Sequence, residues 1–261
     1  MNGEVITTKV SETVQKIIVD GTAIIPFVKP DIQSVVSKVN SLSNNLLVLK
    51  SPKDFFDERL LIETLDRAAQ DYIRDAQVVG GASGGATSTI GLPGILVDVP
   101  ILVAATVGMV RRHALIYGFT EIEENQGDRI PLLLAVGAAL GADVAISQFS
   151  KRLVAEGGAR VVVITIERYL AGKISEKLVA KIISNWIPKA FPVISALTGA
   201  ALNAWFLSIA GKKSADYFRE RHLLVRKQVA TISNTKYEEQ LKEIIAETNP
   251  TNIITKDLSE Q

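Results

Sequence analysis

Apolar positions recur at helical spacing along most of the chain. Ile6, Val10, Val14, Ile17 and Ile18 fall on one face at steps of three and four, and predict a first amphipathic helix. Pro26 and Pro30 break that run, after which Ile32, Val35, Val36, Val39, Leu42 and Leu46 repeat the pattern. A start signal follows, with Ser51 as N-cap, Pro52 at the first helical position and Asp54 in the first turn. From there Leu61, Leu65, Ala68, Tyr72 and Ala76 predict a buried stripe, with Glu63, Asp66, Arg67 and Arg74 outside it.

The middle of the chain changes character. Asp98 is the one charged residue in the 32 positions from Val79 to Val110. The small residues of Gly80–Thr89 predict a loop over about 79–90. A helix is expected to follow, with Asp98 as N-cap, Pro100 near its start and Gly118 as the C′ residue after Tyr117. An acidic linker, TEIEENQGD, leads to a second apolar block, Ile130–Ser150, whose single charge is Asp143. The β-branched run Val161–Ile166 is a strand signal by composition. We read it as helix, because Ile166, Leu170, Ile174, Leu178 and Ile182 continue at four-residue steps and a lone strand would leave an unpaired edge. A third block, Ala190–Gly211, has no formal charge in 22 residues. An amphipathic helix is then expected from Ser214 to about Ile245, with Ala215, Phe218, His222, Val225 and Val229 on its inner face. The fold class is all-α: a multi-helix bundle with three very apolar Gly/Ala-rich central helices flanked by amphipathic ones. The expected divisions are an N-terminal helical extension over 1–55, a helical domain over 56–248 and a flexible tail over 249–261.

Each block has the roughly 20 residues needed to cross about 30 Å of hydrocarbon. A central Asp98 would cost about 2.5–3.5 kcal/mol on insertion scales. Basic pairs also follow the C-terminal end of each block: Arg111–Arg112, Lys151–Arg152 and Lys212–Lys213. Three consecutive spans would put those pairs on alternating sides, whereas shallow hairpins or interfacial helices put them on one side. Association with the cytoplasmic face of the cell membrane is therefore expected, through its lipids or a membrane-protein partner. Polytopic spanning and a wholly soluble chain, with the blocks as a central bundle or an oligomer interface, are the alternatives. Leu102→Asp separates them: it should release a membrane-bound protein and make a soluble one aggregate.

Composition narrows the chemistry. The 261 residues carry a formal net charge of +1, which gives no field to draw nucleic acid. With no cysteine and two histidines, thiol chemistry and zinc knuckles are out, and no metal or cofactor motif is expected. The opening MNGEVITTKVSETVQ has no secretory pattern, and no lipidation motif is visible. Gly81-Ala82-Ser83-Gly84-Gly85 fits the G-x-S-x-G elbow of hydrolases, with His113 or His222 as candidate base, but that elbow needs a strand before it. Gly80 and Gly85 fit G-x-x-x-x-G, yet Ala86 stands where a phosphate-binding Lys belongs. Asp98 and Asp143 are a candidate carboxylate pair, or else two caps, or in the case of Asp98 an ion pair with Arg111. Gly80–Gly84, Gly81–Gly85 and Gly137–Gly141 are G-x-x-x-G pairs that let helix backbones approach closely.

Taken together, the Gly-rich segment, GLPGILVDVPILVAATVGMVRRHALIYGF and the late run FPVISALTGAALNAWFLSIAGKKSADYFRERHL resemble the EcsC protein family. The resemblance runs from about Leu60 to Leu224. Its most specific pieces are Gly91-Leu92-Pro93-Gly94 with Asp98 and Pro100, Tyr117-Gly118, and Gly199, Asn203 and Tyr217-Phe218-Arg219. It implies a bacterial helical protein, from a family named for a protein encoded beside an ABC transporter and linked to secretion. It implies no reaction and no catalytic residue. A non-enzymatic accessory or lipid- and partner-binding role is therefore expected, with Asp98, Arg111, His113, Asn203 and Arg219 as candidate binding residues. A hydrolase using Ser83 or the Asp98/Asp143 pair is the rival.

Overall fold

The computed structural model describes residues 8–9, 12–14, 16–17, 30–44, 47–87, 92–120, 135, 172, 195–229 and 237–249, and every regular element among them is helical. In chain order these are α1 (Ile32–Leu42), a short 3-10 turn (Pro52–Phe56), α2 (Ile62–Thr87), α3 (Leu92–Ile116), α4 (Ser195–Val229) and α5 (Tyr237–Glu247). The fold is an all-α bundle, as the periodicity predicts. Apart from Ala135 and Gly172, the second apolar block with Asp143, the 161–182 run and the tail from residue 250 lie outside the described residues.

Local chemistry explains where most elements begin and end. Asp31 caps α1, its carboxylate accepting from the Gln33 and Ser34 amides at 3.2 Å each. Val35, Val36 and Val39 then turn inward. Asn40 holds the following loop like a bridging strand residue: its Nδ2 donates to the Leu49 carbonyl at 2.8 Å and its Oδ1 accepts from the Leu49 amide at 3.2 Å. The start signal at Ser51-Pro52 is used, with Asp54 accepting from the Ser51 amide at 2.9 Å, but it opens only the 3-10 turn. A new helix starts at Ile62, so Leu61, expected in the buried stripe, is 67% exposed, while Leu65 and Ala68 are sealed.

The expected loop at 79–90 is corrected by the structure: α2 continues through the glycines to Thr87. The gain is close approach of α4, since a Cβ on Gly80 would collide with Leu207 Cδ1. Tertiary packing here outweighs the roughly 1 kcal/mol per residue that glycine costs a helix. The expected start of α3 near Asp98 is also corrected, because the helix begins at Leu92 and passes through both Asp98 and Pro100. Pro93 lies in the first turn, where a fixed φ and a missing N–H cost nothing. Burial of Val99–Ile116 offsets the one internal hydrogen bond lost at Pro100; 78% of that segment is covered by the rest of the chain. The C-terminal end agrees with expectation. Gly118 adopts φ +91°, its amide donates to the Leu115 carbonyl at 3.0 Å, and the Phe119 amide reaches Ala114 at 2.9 Å. This is a Schellman end, and Phe56 packs so closely on Gly118 that a Cβ there would meet its ring at 2.6 Å.

α4 replaces two expected elements with one. The third apolar block from Ser195 onward and the first half of the amphipathic helix after it form a single 35-residue helix, and a separate helix resumes at Tyr237. The inner stripe runs unbroken through Leu207, Ala210, Ser214, Phe218 and Val225, so nothing in the packing calls for a break at Ser214. Among the described elements α2 and α4 share the largest contact, α3 packs on both, and α1 and the 3-10 turn close one end.

Candidate functional site

Three polar clusters and one cleft lie between these helices. The first cluster binds α2, α3 and α4 in the core. His113 Nε2 sits 3.3 Å from the Ala69 carbonyl, and Nδ1 sits 3.0 Å from Ser214 Oγ. A carbonyl only accepts, so Nε2 carries the hydrogen and Nδ1 accepts a hydrogen bond from the Ser214 hydroxyl. Burial holds the imidazole neutral, pushing its pKa down to about 4. A hydroxyl hydrogen-bonded to a neutral imidazole has the form of a nucleophile and its base. Both side chains are, however, 0% exposed, so no substrate reaches them. The pair serves as a polar rivet. Ser214 gives no such signal in the sequence, where the pattern places it at the start of a helix.

The second cluster joins the same three elements nearer the surface. Asp66 accepts from Tyr117 Oη at 2.8 Å and from Arg219 Nε at 3.1 Å to each carboxylate oxygen. Burial, reinforced by the Asp66 charge, pushes the Tyr117 phenol above its ordinary pKa, while the hydrogen bond to Asp66 raises that of Arg219. Asp66 was expected on the outer face of its helix; it is half-buried instead because Tyr117 and Arg219 converge on it. His222 stands beside this group. Its Nδ1 lies 2.9 Å from the Tyr117 carbonyl and its ring stacks on Phe56 with centroids 4.8 Å apart. Burial holds it neutral with a pKa of about 4, and its Nε2 meets no partner among the described residues.

The third cluster ties α2 to α4 at the opposite end. Asn203 Nδ2 donates to the Gly80 carbonyl at 3.1 Å, and Gln77 Nε2 donates to the Ala204 carbonyl at 3.2 Å. The candidate residues thus divide. His113 and Arg219 hold separate clusters, Asn203 belongs to a helix–helix contact, and Arg111 is buried near the end of α3. The Asp98 side chain lies outside the described part of the structure. Ser83 sits inside a continuous helix, its hydroxyl donating to the Gly80 carbonyl at 3.0 Å, so the strand-to-helix elbow its motif requires is not there.

The sequence model of the EcsC protein family matches residues 3–223. The chain belongs to the EcsC protein family. The match takes in the N-terminal residues that the resemblance read from the motifs had left aside. It also spans all three polar clusters, whose side chains lie between Asp66 and His222. No curated protein and no solved structure matches this EcsC chain.

The cleft lies between α2 and α3, with a volume of about 340 Å³. Its floor is Ala105 and Met109, both buried, and its rim carries Tyr72, Asp75, Val79 and Arg112. The Arg112 guanidinium stands 5.8 Å from the centre of the Tyr72 ring. Burial lowers its pKa, opposed by Tyr72 and Asp75.

Proposed function

We propose that this EcsC protein is a non-enzymatic accessory factor that attaches to the cytoplasmic face of the cell membrane. The observation that carries this reading is a row of exposed apolar side chains along α4, with a second on α2. Trp205 is 57% exposed, with Ala201 and Ile209 open one turn before and after it, and on α2 Val78 is 73% exposed with Ala82 open one turn further on. The Gln77 and Asn203 hydrogen bonds fix the two helix faces at one end of the bundle. Lys212 and Lys213 follow on the exposed face of α4. A patch of apolar side chains with a tryptophan and a basic border suits the boundary between acyl chains and anionic headgroups. Each 100 Å² of apolar surface buried there is worth about 2.5 kcal/mol, and each lysine near an anionic leaflet adds about 1 kcal/mol. Family membership extends the reading to support of an ABC transporter or of protein secretion.

Flotation of the purified full-length protein on liposomes tests it. The wild type is expected to rise with vesicles, more strongly when anionic lipid is present. Trp205→Glu and Ile209→Glu are expected to reduce flotation at least several-fold with unchanged melting, and a Lys212→Glu, Lys213→Glu variant to lose only the anionic preference. Wild-type protein remaining in the bottom fraction with both lipid mixtures would overturn the reading.

A further inference from the structure

The His222 imidazole joins three elements at once. Its face lies on Phe56 of the 3-10 turn, its edge meets the Tyr117 ring, and its Nδ1 sits 2.9 Å from the Tyr117 carbonyl at the end of α3. With a carbonyl as partner, Nδ1 must carry the hydrogen, which leaves Nε2 a lone pair. That Nε2 is sealed from solvent and meets no partner among the described residues. While neutral, it costs one unmade hydrogen bond. Once protonated, it is a buried charge and a buried N–H with no acceptor. The charged groups around it give no relief. Arg219 and Arg226, one turn before and after it on α4, repel a cation. Asp66 of α2 attracts one, but its oxygens already accept from Tyr117 and Arg219. On the turn, Asp57 is paired with Arg59, and the Glu58 carbonyl accepts from Arg226 at 2.6 Å. α5 meets this part of α4 at Arg221, itself a cation, through the Ile245 carbonyl.

The elements that share His222 are not equally held. α4 is fixed to α2 and α3 by the Arg219–Asp66 pair, the His113–Ser214 bond and its long apolar stripe. The 3-10 turn and α1 lie outside that frame on much smaller contacts. They are held by Phe55 and Phe56, the three buried valines of α1, the Arg226 bond to Glu58 and the Lys38–Asp71 ion pair. A charge at His222 is therefore relieved most readily by lifting the turn and admitting water, with α2, α3 and α4 left in place.

We propose that α1 and the 3-10 turn form an acid-released strap, freed from the end of the bundle when His222 takes a proton while α2, α3 and α4 stay packed. The inference goes beyond the membrane reading and does not rest on it. Under the closed strap His222 holds off a proton until about pH 4, whereas in water it takes one near pH 6.5. The open state thus binds more protons, and closure weakens as the pH falls through that window. Between pH 7 and 5, above the ordinary carboxylate range, the opening constant should rise about twenty-fold.

Hydrogen exchange of the full-length protein, resolved by peptide and corrected for the intrinsic effect of pH, tests this. At pH 7 the amides of α1 and the 3-10 turn should be less protected than those of α2 and α4. At pH 5 their protection should drop about twenty-fold, with α2 and α4 still the better protected. His222→Gln, which can donate to the Tyr117 carbonyl but does not titrate, should shrink that drop to less than about three-fold. His222→Phe, which keeps the stack on Phe56, should do the same, and His113→Gln should leave the drop unchanged. A strap that loses no protection between pH 7 and 5, or that exchanges only together with α2 and α4, would overturn the proposal. So would a full twenty-fold drop in either His222 variant. The comparison of strap and core in the wild type decides the matter even where a variant fails to fold.

Discussion

His113 and His222 each sit in an environment that refuses a proton. The unfolded chain takes protons at both near pH 6.5, while the folded one holds them off until about pH 4. Between those values the unfolded state binds more protons, so stability falls as the pH drops through that window and levels off below it. Each histidine contributes about 3 kcal/mol to that slope. Urea midpoints measured from pH 7.5 to 4.5 are expected to fall steeply, and His113→Gln should remove about half of the pH dependence. A flat wild-type profile would contradict neutral buried imidazoles. Neither environment could be read from the chain, where His222 is simply one member of an apolar stripe and His113 a neighbour of two arginines. Their partners, the Ala69 and Tyr117 carbonyls and the Ser214 hydroxyl, are brought in from other helices.

The contact between α2 and α4 depends on what is missing from its surface as much as on what is present. Gly211 on α4 leaves room for Ile73 Cγ1 and Met109 Sδ, which a Cβ would meet at 2.6 and 2.9 Å. Alanine gains up to about 1 kcal/mol in helix propensity, yet forcing a methyl against an inner carbon of Ile73 costs about 1–3 kcal/mol. Gly211→Ala is therefore expected to destabilise, by about 1–2 kcal/mol in chemical unfolding. At the other polar joint, Tyr117→Phe should cost about 1.5–3 kcal/mol, the worth of a hydrogen bond to a charged group. That cost should largely vanish in an Asp66→Ala background, a double-mutant cycle that isolates the pair. The helices themselves were legible wherever an apolar stripe met a strong punctuation mark, as at Asp31, Pro52 and Gly118. They were misread at 79–90 and at 98–100, because glycine and proline signal breaks locally while packing against another helix can override them. Asp66 was assigned to solvent for the same reason: a stripe count sees one helix, and Tyr117 and Arg219 arrive on two others.

At the scale of the molecule, the first and third apolar blocks do not share one environment. The first, in α3, forms the centre of the bundle, whereas the third opens Trp205 and Ile209 outward from α4. Leu102 is 2% exposed, so Leu102→Asp puts an unpaired carboxylate into the core. It is expected to yield insoluble protein on expression, instead of releasing a membrane-bound protein into the soluble fraction; soluble, folded Leu102→Asp protein would show that α3 is not the core. EcsC membership was legible from motifs at Gly91–Pro100, Tyr117-Gly118 and Tyr217–Arg219. The first and last lie along helices that pack on α2, and the middle one is a helix end braced by Phe56.

α4 is about 52 Å long at 1.5 Å per residue, one stiff rod with Trp205 in its first third and Arg221 in its last. Arg221 lies over the Phe119 ring at 4.1 Å and reaches the Ile245 carbonyl of α5 at 3.3 Å. Pivoting such a lever by about 5° about Trp205 swings Arg221, about 24 Å further along, by about 2 Å. Whatever grips the tryptophan end therefore has mechanical purchase on α5, without any change in the fold between them.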